Sequence, residues 1–138
     1  MTRHEIREQI FLVLFSLGFH SGEDSRELVI RYLDDTAEQK AEDLERAEII
    51  KKTLAVFEKT GEFDRMIDSV STTWKTSRMG KAELNILRLA IYEILFDDSV
   101  PVKVAINEAV DLAKEYCSDE TPGFVNGVLA KIVKDNNT

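Results

Sequence analysis

The sequence lacks the features on which small secreted and membrane proteins depend. Its single cysteine, Cys117, cannot form an internal disulfide, which fits a reducing cytoplasm. No apolar run is long enough to span a bilayer. A signal peptide is not expected either, because the start carries charges of both signs (Arg3, His4, Glu5, Arg7, Glu8) and the apolar positions that follow have helical spacing. With only two prolines and six glycines in 138 residues, few positions interrupt helices. These scarcities predict a soluble, helical, cytoplasmic protein with no membrane segment.

An excess of positive charge is also missing. The formal net charge is −8, whereas proteins that bind nucleic acid through their overall field are normally basic. Any nucleic-acid binding is therefore expected to be local or shared with a partner. Much of the acidity lies between Glu23 and Glu48. We interpret it either as a solvated helix face or as repulsion that keeps nucleic acid away from that side.

Residues for catalysis and metal binding are equally scarce. Cys117, His4 and His20 are scattered along the chain, which excludes the usual zinc spacings, so neither a metal site nor a cofactor is expected. Glycine-rich phosphate loops and serine nucleophile motifs are absent. The acids Glu93, Asp97 and Asp98 are interpreted as exposed surface at a helix C-terminus rather than as paired catalytic carboxylates. The sequence therefore predicts a binding protein that is not an enzyme.

Apolar residues at helical spacing predict about seven helices and no strands, which is an all-α fold. Thr2 and Glu5 have the spacing of a capping box, and the first helix should end at about Leu17. The second helix is expected to follow an N-cap at Ser25, and the third to run from about Glu38 to Lys59 and to end at Gly61. The fourth should begin near Phe63 and include Trp74, and the fifth and sixth are expected over Lys81–Phe96 and Val102–Tyr116. The seventh should follow an N-cap at Thr121 and end in a tail that frays from Asp135.

The same periodicity predicts which helix faces are buried. The helix over Lys81–Phe96 is expected to be central, because it is apolar nearly all round. Arg88 interrupts it, and we expect this arginine to pair with Glu108 or Glu93 as part of the structure. The inward stripe predicted for the third helix consists of Leu44, Ala47, Ile50, Leu54 and Phe57.

The first helix carries an unusual outer face. At about 3.6 residues per turn, His4, Arg7, Phe11 and Phe15 lie next to one another, with Arg3 at one edge. One interpretation is that both rings are buried against other helices. The other is a basic and aromatic surface, where the arginines bind phosphates and a ring stacks on a base. Burial of Phe11 with exposure of Phe15 would satisfy both interpretations.

The last helix offers a second candidate. Phe124, Asn126 and Gly127 lie near its start, where free N–H groups can bind phosphate. Alternatively, Gly127 permits close helix packing and Asn126 bonds a neighbouring backbone. The inward stripe of this helix is complete without Phe124, so we expect its ring at the surface, placed to stack on a base.

Several segments together resemble one known family, the NusB transcription antitermination factors. The resemblance is dense from Arg78 to Val133 and looser in the N-terminal half. The segments that carry it are ILRLAIYE at 86–93, Val100-Pro101, VAINEAVDLAK at 104–114 and FVNGVL at 124–129.

The resemblance implies two small packed helical bundles, at residues 1–75 and 76–138, that form one compact domain without enzyme activity. It also implies binding to box A of nascent ribosomal RNA operon transcripts together with the ribosomal protein NusE, in a complex on RNA polymerase that suppresses premature termination. The family's RNA contacts come from its first helix and its FVNG segment. The corresponding residues here are Arg3, His4, Arg7, Phe15, Phe124 and Asn126.

Two functional hypotheses follow. The leading one is an RNA-binding antitermination factor that works with NusE and is a monomer or homodimer when alone. The alternative is a helical protein-binding adaptor with little RNA affinity of its own. The N-terminus of family members usually carries more arginines than the two found here, Arg3 and Arg7. The isolated chain is therefore expected to make fewer phosphate contacts than those proteins make.

Overall fold

The fold is all-α, as predicted. The computed structural model describes residues 1–18, 24–35 and 43–136, and these ranges contain no strand. None of the helices found there is long and apolar enough to cross a membrane. A short 3₁₀ helix, Thr76–Arg78, precedes the fifth helix. The seven α-helices are α1 (Arg3–Leu17), α2 (Ser25–Asp35), α3 (Asp43–Glu58), α4 (Thr60–Val70), α5 (Lys81–Phe96), α6 (Val102–Tyr116) and α7 (Thr121–Asn136).

The helices form two compact units, Met1–Glu58 and Lys59–Thr138. In the first unit, α1, α2 and α3 pack against one another. In the second, α7 contacts α4, α5 and α6, and α5 also contacts α4 and α6. The sequence placed the division at residue 75. The structure places it earlier because α4 packs on α5 and α7, which makes it part of the second unit.

Local hydrogen bonds explain where the first two helices begin. The Glu5 N–H donates to the Thr2 hydroxyl over 3.1 Å and the Thr2 N–H donates to the Glu5 carboxylate over 2.8 Å, which confirms the predicted capping box. The N-cap predicted at Ser25 is wrong. Asp24 caps α2 instead, because its carboxylate accepts from the Arg26 N–H over 3.0 Å. The start predicted at Glu38 and the residue His20 lie outside the described ranges.

The boundaries of α4 differ from the prediction at both ends. Gly61 does not close the preceding helix but lies in the first turn of α4, where the Phe63 N–H bonds the Lys59 carbonyl over 3.0 Å. At the other end, α4 stops at Val70, so Trp74 lies outside the helix. The tail expected to fray from Asp135 is helical through Asn136.

The core of the first unit departs from the stripe predicted for α3. Leu44 is 86% exposed and Phe57 is also exposed, so the inward stripe predicted for α3 is wrong at its ends. The helix has apolar residues on two neighbouring stripes, and the fully buried one contains Ile49, Thr53 and Val56. Two residues of the predicted stripe, Ile50 and Leu54, are partly buried. They pack against the buried cluster of Val13, Leu17, Leu28 and Val29.

The core of the second unit is centred on α5, as predicted. The buried apolar residues of this helix are Leu84, Ile86, Leu87, Leu89, Ala90 and Ile91. The partner predicted for Arg88 is wrong, because its guanidinium bonds both carboxylate oxygens of Asp64 on α4, over 2.9 and 2.8 Å. The expected structural role of Arg88 stands, since this pair joins α5 to α4. Glu93 is buried rather than at the surface.

Candidate nucleic-acid interface

The basic part of the first candidate surface lies at the N-terminal end of α1. Its exposed arginine, Arg3, is paired with an acid of α3, Glu48. The Arg3 guanidinium makes two bonds to the Glu48 carboxylate, over 2.8 and 2.5 Å. The Arg3 side chain is 59% exposed. A bidentate arginine–carboxylate pair has the geometry with which arginine also binds phosphate. A phosphate that approaches Arg3 must therefore compete with Glu48.

The electrostatics of Glu48 follow from this contact. Hydrogen bonding from Arg3, helped by the Lys52 ammonium at 2.8 Å, lowers the pKa of the Glu48 carboxyl from 4.5 to about 2. One turn away, Glu45 receives the N-terminal ammonium over 2.8 Å. These acids of α3 were interpreted from the sequence as a solvated face or as repulsion. Two of them, Glu45 and Glu48, instead form ion pairs with the N-terminal ammonium and with Arg3, the first residue of α1.

Arg7 departs most from its predicted position. We expected its side chain at the surface, placed for phosphate rather than for the core, and this placement is wrong, because Arg7 is only 7% exposed. Polar partners and a long aliphatic stem let an arginine be buried in this way. His4, one turn before it, is half-buried. Whether either residue contacts RNA stays a prediction.

The two rings of α1 are divided between core and surface. Phe11 is 1% exposed, whereas Phe15 is half-buried, and their centroids lie 6.4 Å apart. The sequence had left open whether both rings are core or whether one is available for stacking. Burial of Phe11 and partial exposure of Phe15 is the arrangement that satisfies both interpretations.

The start of α7 carries the second candidate surface, which lies in the other unit. Phe124 is half-buried and Asn126 is exposed. The Phe124 ring packs against the Trp74 ring, with centroids 5.3 Å apart and planes tilted by 59°. Close helix packing does not explain Gly127, since no atom lies within 4 Å of the position that its Cβ would occupy. That part of the structural interpretation was wrong.

The helical position predicted for Trp74 is wrong, because Trp74 lies in the segment between α4 and the 3₁₀ helix. Its side chain is 42% exposed. The buried Ser71 donates its hydroxyl proton to the Trp74 carbonyl. Lys75 donates to the Ser71 carbonyl over 3.1 Å, and the Asp68 carboxylate accepts from the Thr76 N–H over 2.7 Å. The only tryptophan of the chain, in a segment rich in serine and threonine, was the available signal.

The chemistry of the two surfaces is that of binding. One offers a guanidinium and a half-exposed ring, and the other offers two rings and an exposed amide. Cys117 is a poor nucleophile, because burial and the neighbouring Glu83 raise the pKa of its thiol. Aromatic faces, amides and arginine are the groups with which proteins bind single-stranded RNA.

The chain is similar to known proteins over almost its whole length. The model of the NusB family matches residues 4–134. The transcription antitermination protein NusB of Agathobacter rectalis is 49% identical over 131 residues, which cover 95% of this chain and 98% of that protein. T. maritima NusB has a TM-score of 0.87 at 30% identity, covering 98% of this chain and 92% of that one. A chain in a crystal structure of the antitermination factors NusB and NusE in complex with dsRNA has a TM-score of 0.81 at 29% identity, covering 98% and 99%. The protein therefore belongs to the NusB family.

Proposed function

We propose that this protein is a cytoplasmic, RNA-binding transcription antitermination factor. Together with the ribosomal protein NusE it binds box A of nascent ribosomal RNA operon transcripts and helps RNA polymerase avoid premature termination. The observation that carries the proposal is the match, over 98% of the chain, to a structure in which NusB and NusE are bound to dsRNA. The protein acts by binding and has no enzyme activity.

The RNA contacts that we propose come from both units. In the first, Arg3 binds a phosphate and the exposed side of Phe15 meets a base, with His4 beside them on α1. In the second, Phe124 stacks on a base and Asn126 bonds a base edge or a phosphate. Support comes from the exposure of Arg3 and Asn126 and from the partial exposure of both rings. Arg7 is the weakest member of the proposed set, because it is buried.

The charge of the chain explains why NusE is needed. A net charge of −8 repels RNA at long range, and the Arg3 guanidinium is partly neutralised by Glu48. A basic partner would supply phosphate contacts that this chain lacks. We therefore expect the isolated protein to bind box A RNA weakly and the complex with NusE to bind it more tightly.

A salt-titrated binding assay tests the proposal. Labelled box A RNA is titrated with the protein, with NusE and with an equimolar mixture, at several salt concentrations, beside an RNA of scrambled sequence. The mixture should bind box A more tightly than either protein does, and binding should weaken steeply as salt rises. Equal affinity with and without NusE would contradict the cooperative part of the proposal.

The adaptor hypothesis has its own supporting observation. Arg3 is engaged by Glu48 and Arg7 is buried, so α1 presents less free positive charge than its sequence indicated. A helical protein-binding adaptor would bind NusE with full affinity while adding nothing to the RNA affinity of NusE. The same assay separates the two functions, because only the antitermination factor increases box A binding above that of NusE alone.

A further inference from the structure

One face of α3 carries apolar side chains that the first unit leaves exposed. Leu44 is 86% exposed and Phe57 is 36% exposed, and no other large apolar side chain in the described part of Met1–Glu58 is exposed to this extent. Between them along the helix, Ala47 is exposed and Ile50 and Leu54 are partly buried. These five residues form the stripe that the sequence predicted to face inward. We call them the outer stripe of α3.

An open groove lies beside the outer stripe, between α3 and the start of α2. It consists of two hollows with volumes of about 530 and 540 Å³, which share Arg26, Leu54 and Glu58. Pockets that bind ligands of substantial size have volumes of about 300–1,000 Å³. An apolar stripe beside a groove is also the surface into which an amphipathic helix docks. The groove can therefore receive the side chains of another helix.

The spacing of the outer stripe is typical of a contact between two helices. Ala47, Ile50, Leu54 and Phe57 follow one another after three, four and three residues, the repeat along which paired helices pack side by side. In an antiparallel pair of α3 helices, Ala47 of one copy lies opposite Phe57 of the other, and Ile50 lies opposite Leu54. A small side chain opposite a large one permits close packing. The stripe is therefore complementary to itself in size.

The charges that line the groove are balanced. Two cations, Arg26 and Lys51, and two anions, Asp24 and Glu58, line it. A lining without net charge has no general attraction for the phosphates of RNA or for a partner that carries charge of one sign. A two-fold interface brings the same patch of two copies together, so a patch of one sign repels itself and a balanced patch does not. Charge and size therefore both favour a second copy of this chain as the occupant.

We propose that the outer stripe of α3 binds a second copy of this chain, with the two α3 helices antiparallel about a two-fold axis. Each copy contributes mainly one helix face, which is a small contact area, so the dimer is weak and forms at micromolar or higher concentrations. None of the residues that line the groove belongs to the proposed RNA contacts. The inference therefore does not rest on the proposed RNA-binding function.

Sedimentation velocity of the whole chain, from about 1 μM to about 1 mM, tests the dimer. The average mass should rise with concentration from that of the monomer towards twice that value. Ala47→Glu should raise the dissociation constant at least about tenfold, because it places a carboxylate opposite an apolar ring. Ala130→Glu is the matched control, since Ala130 is an exposed helix alanine of the other unit. It should leave the dissociation constant within about twofold.

Lys51 provides a measurement of opposite sign. It lies beside the middle of the outer stripe, and residues at the centre of a two-fold interface meet their own copies. Two ammonium groups then repel each other across the axis, so Lys51→Gln should lower the dissociation constant by up to about fivefold. Lys134→Gln is the control, because Lys134 is exposed on α7 and does not line the groove. A weaker dimer in Lys51→Gln would contradict the two-fold arrangement.

Cysteine cross-linking tests the direction of the two helices. In a Cys117→Ser background, a variant with Ala47→Cys is mixed with a variant with Phe57→Cys and oxidised. The mixture should form a disulfide between the two variants. Each variant alone should not, because ten positions of a helix separate like residues of an antiparallel pair by about 15 Å. Cross-linking of each variant with itself would show parallel helices and overturn the proposal.

Three further outcomes would overturn the inference. The first is a chain that stays monomeric up to about 1 mM. The second is a dimer that Ala47→Glu forms as well as the unsubstituted protein does, because such a dimer uses another face. The third is a monomer in which Ala47→Glu weakens binding to NusE, because the outer stripe then belongs to that partner. A thermal melt like that of the unsubstituted protein verifies that Ala47→Glu is folded.

Discussion

The α1 surface and the α7 surface offer RNA two different kinds of contact. On α1 the positive charges are already engaged, since Arg3 pairs with Glu48 and Arg7 is buried. On α7 the rings of Phe124 and Trp74 pack on each other and remain partly exposed. A phosphate that binds at α1 would therefore compete with interactions inside the protein, whereas a base that stacks at α7 would use rings that are already partly exposed. We therefore expect RNA affinity to depend more on stacking at α7 than on charge at α1.

The largest loss of RNA affinity should come from Phe124→Asp, which removes an aromatic ring from the α7 surface. Base stacking contributes about 1–3 kcal/mol per base, so RNA affinity should fall at least about tenfold, and the new carboxylate also repels phosphate. The fold should survive, because an acid near the start of a helix is favourable there. An RNA titration with NusE, a thermal melt and far-UV circular dichroism measure both effects.

A matched control for this variant is Val104→Asp. Val104 is an exposed apolar residue in the first turn of α6, in the same unit. Its replacement adds the same carboxylate at a similar helix position away from the proposed site, and RNA affinity should stay within about twofold. A collapsed melt for Phe124→Asp alone would assign Phe124 to the core and remove it from the proposed site.

The next largest effect should be a loss of stability in Arg7→Ala. Because Arg7 is buried, its removal loses packing and leaves its polar surroundings unsatisfied, which costs about 1–3 kcal/mol. Arg3→Ala is the comparison, since Arg3 is exposed and its removal should cost less than about 1 kcal/mol. Urea unfolding measures both variants. An unchanged midpoint for Arg7→Ala together with lost RNA binding would restore the phosphate role that the sequence predicted.

A smaller effect, of opposite sign, is expected for Glu48→Gln. The substitution removes the carboxylate that competes for Arg3, so RNA affinity should rise. Exposed ion pairs contribute less than about 1 kcal/mol, which limits the gain to about fivefold. A titration at low salt is the measurement, with Glu62→Gln on α4 as an exchange of the same charge elsewhere. A fall in affinity would show that Glu48 orients Arg3 for RNA rather than withholding it.

The smallest expected effect is a pH dependence of stability in the first unit. In the fold the pKa of Glu48 is about 2, below its ordinary value of 4.5, so its ionised form is the one stabilised by Arg3. This contribution is fully present above pH 4.5 and is lost as pH falls towards 2. Urea unfolding of the unsubstituted protein and Glu48→Gln should differ by less than about 1 kcal/mol at pH 7 and should converge in acid. A difference that grows in acid would contradict this account of Glu48.

The candidate site could be predicted only in part from the sequence. Helical spacing placed Phe15 beside the basic residues of α1, and it left Phe124 off the inward stripe of α7, in agreement with the partial exposure of both rings. The spacing could not show that Arg7 is buried or that Trp74 meets Phe124. Those facts depend on how neighbouring helices and the segment after α4 pack, and periodicity within one helix contains no information about them.

The sequence by itself determined the all-α class, the bounds of α5 and α6 and the capping box at Thr2, because spacing and caps act between residues a few positions apart. Only the tertiary structure decided which of two apolar stripes of α3 is buried, that Asp64 pairs with Arg88 and that Glu48 pairs with Arg3. The two pairs span 24 and 45 positions of the chain, which contains 26 acidic residues as possible partners. Local rules cannot choose among that many acids, because the choice depends on which helices meet.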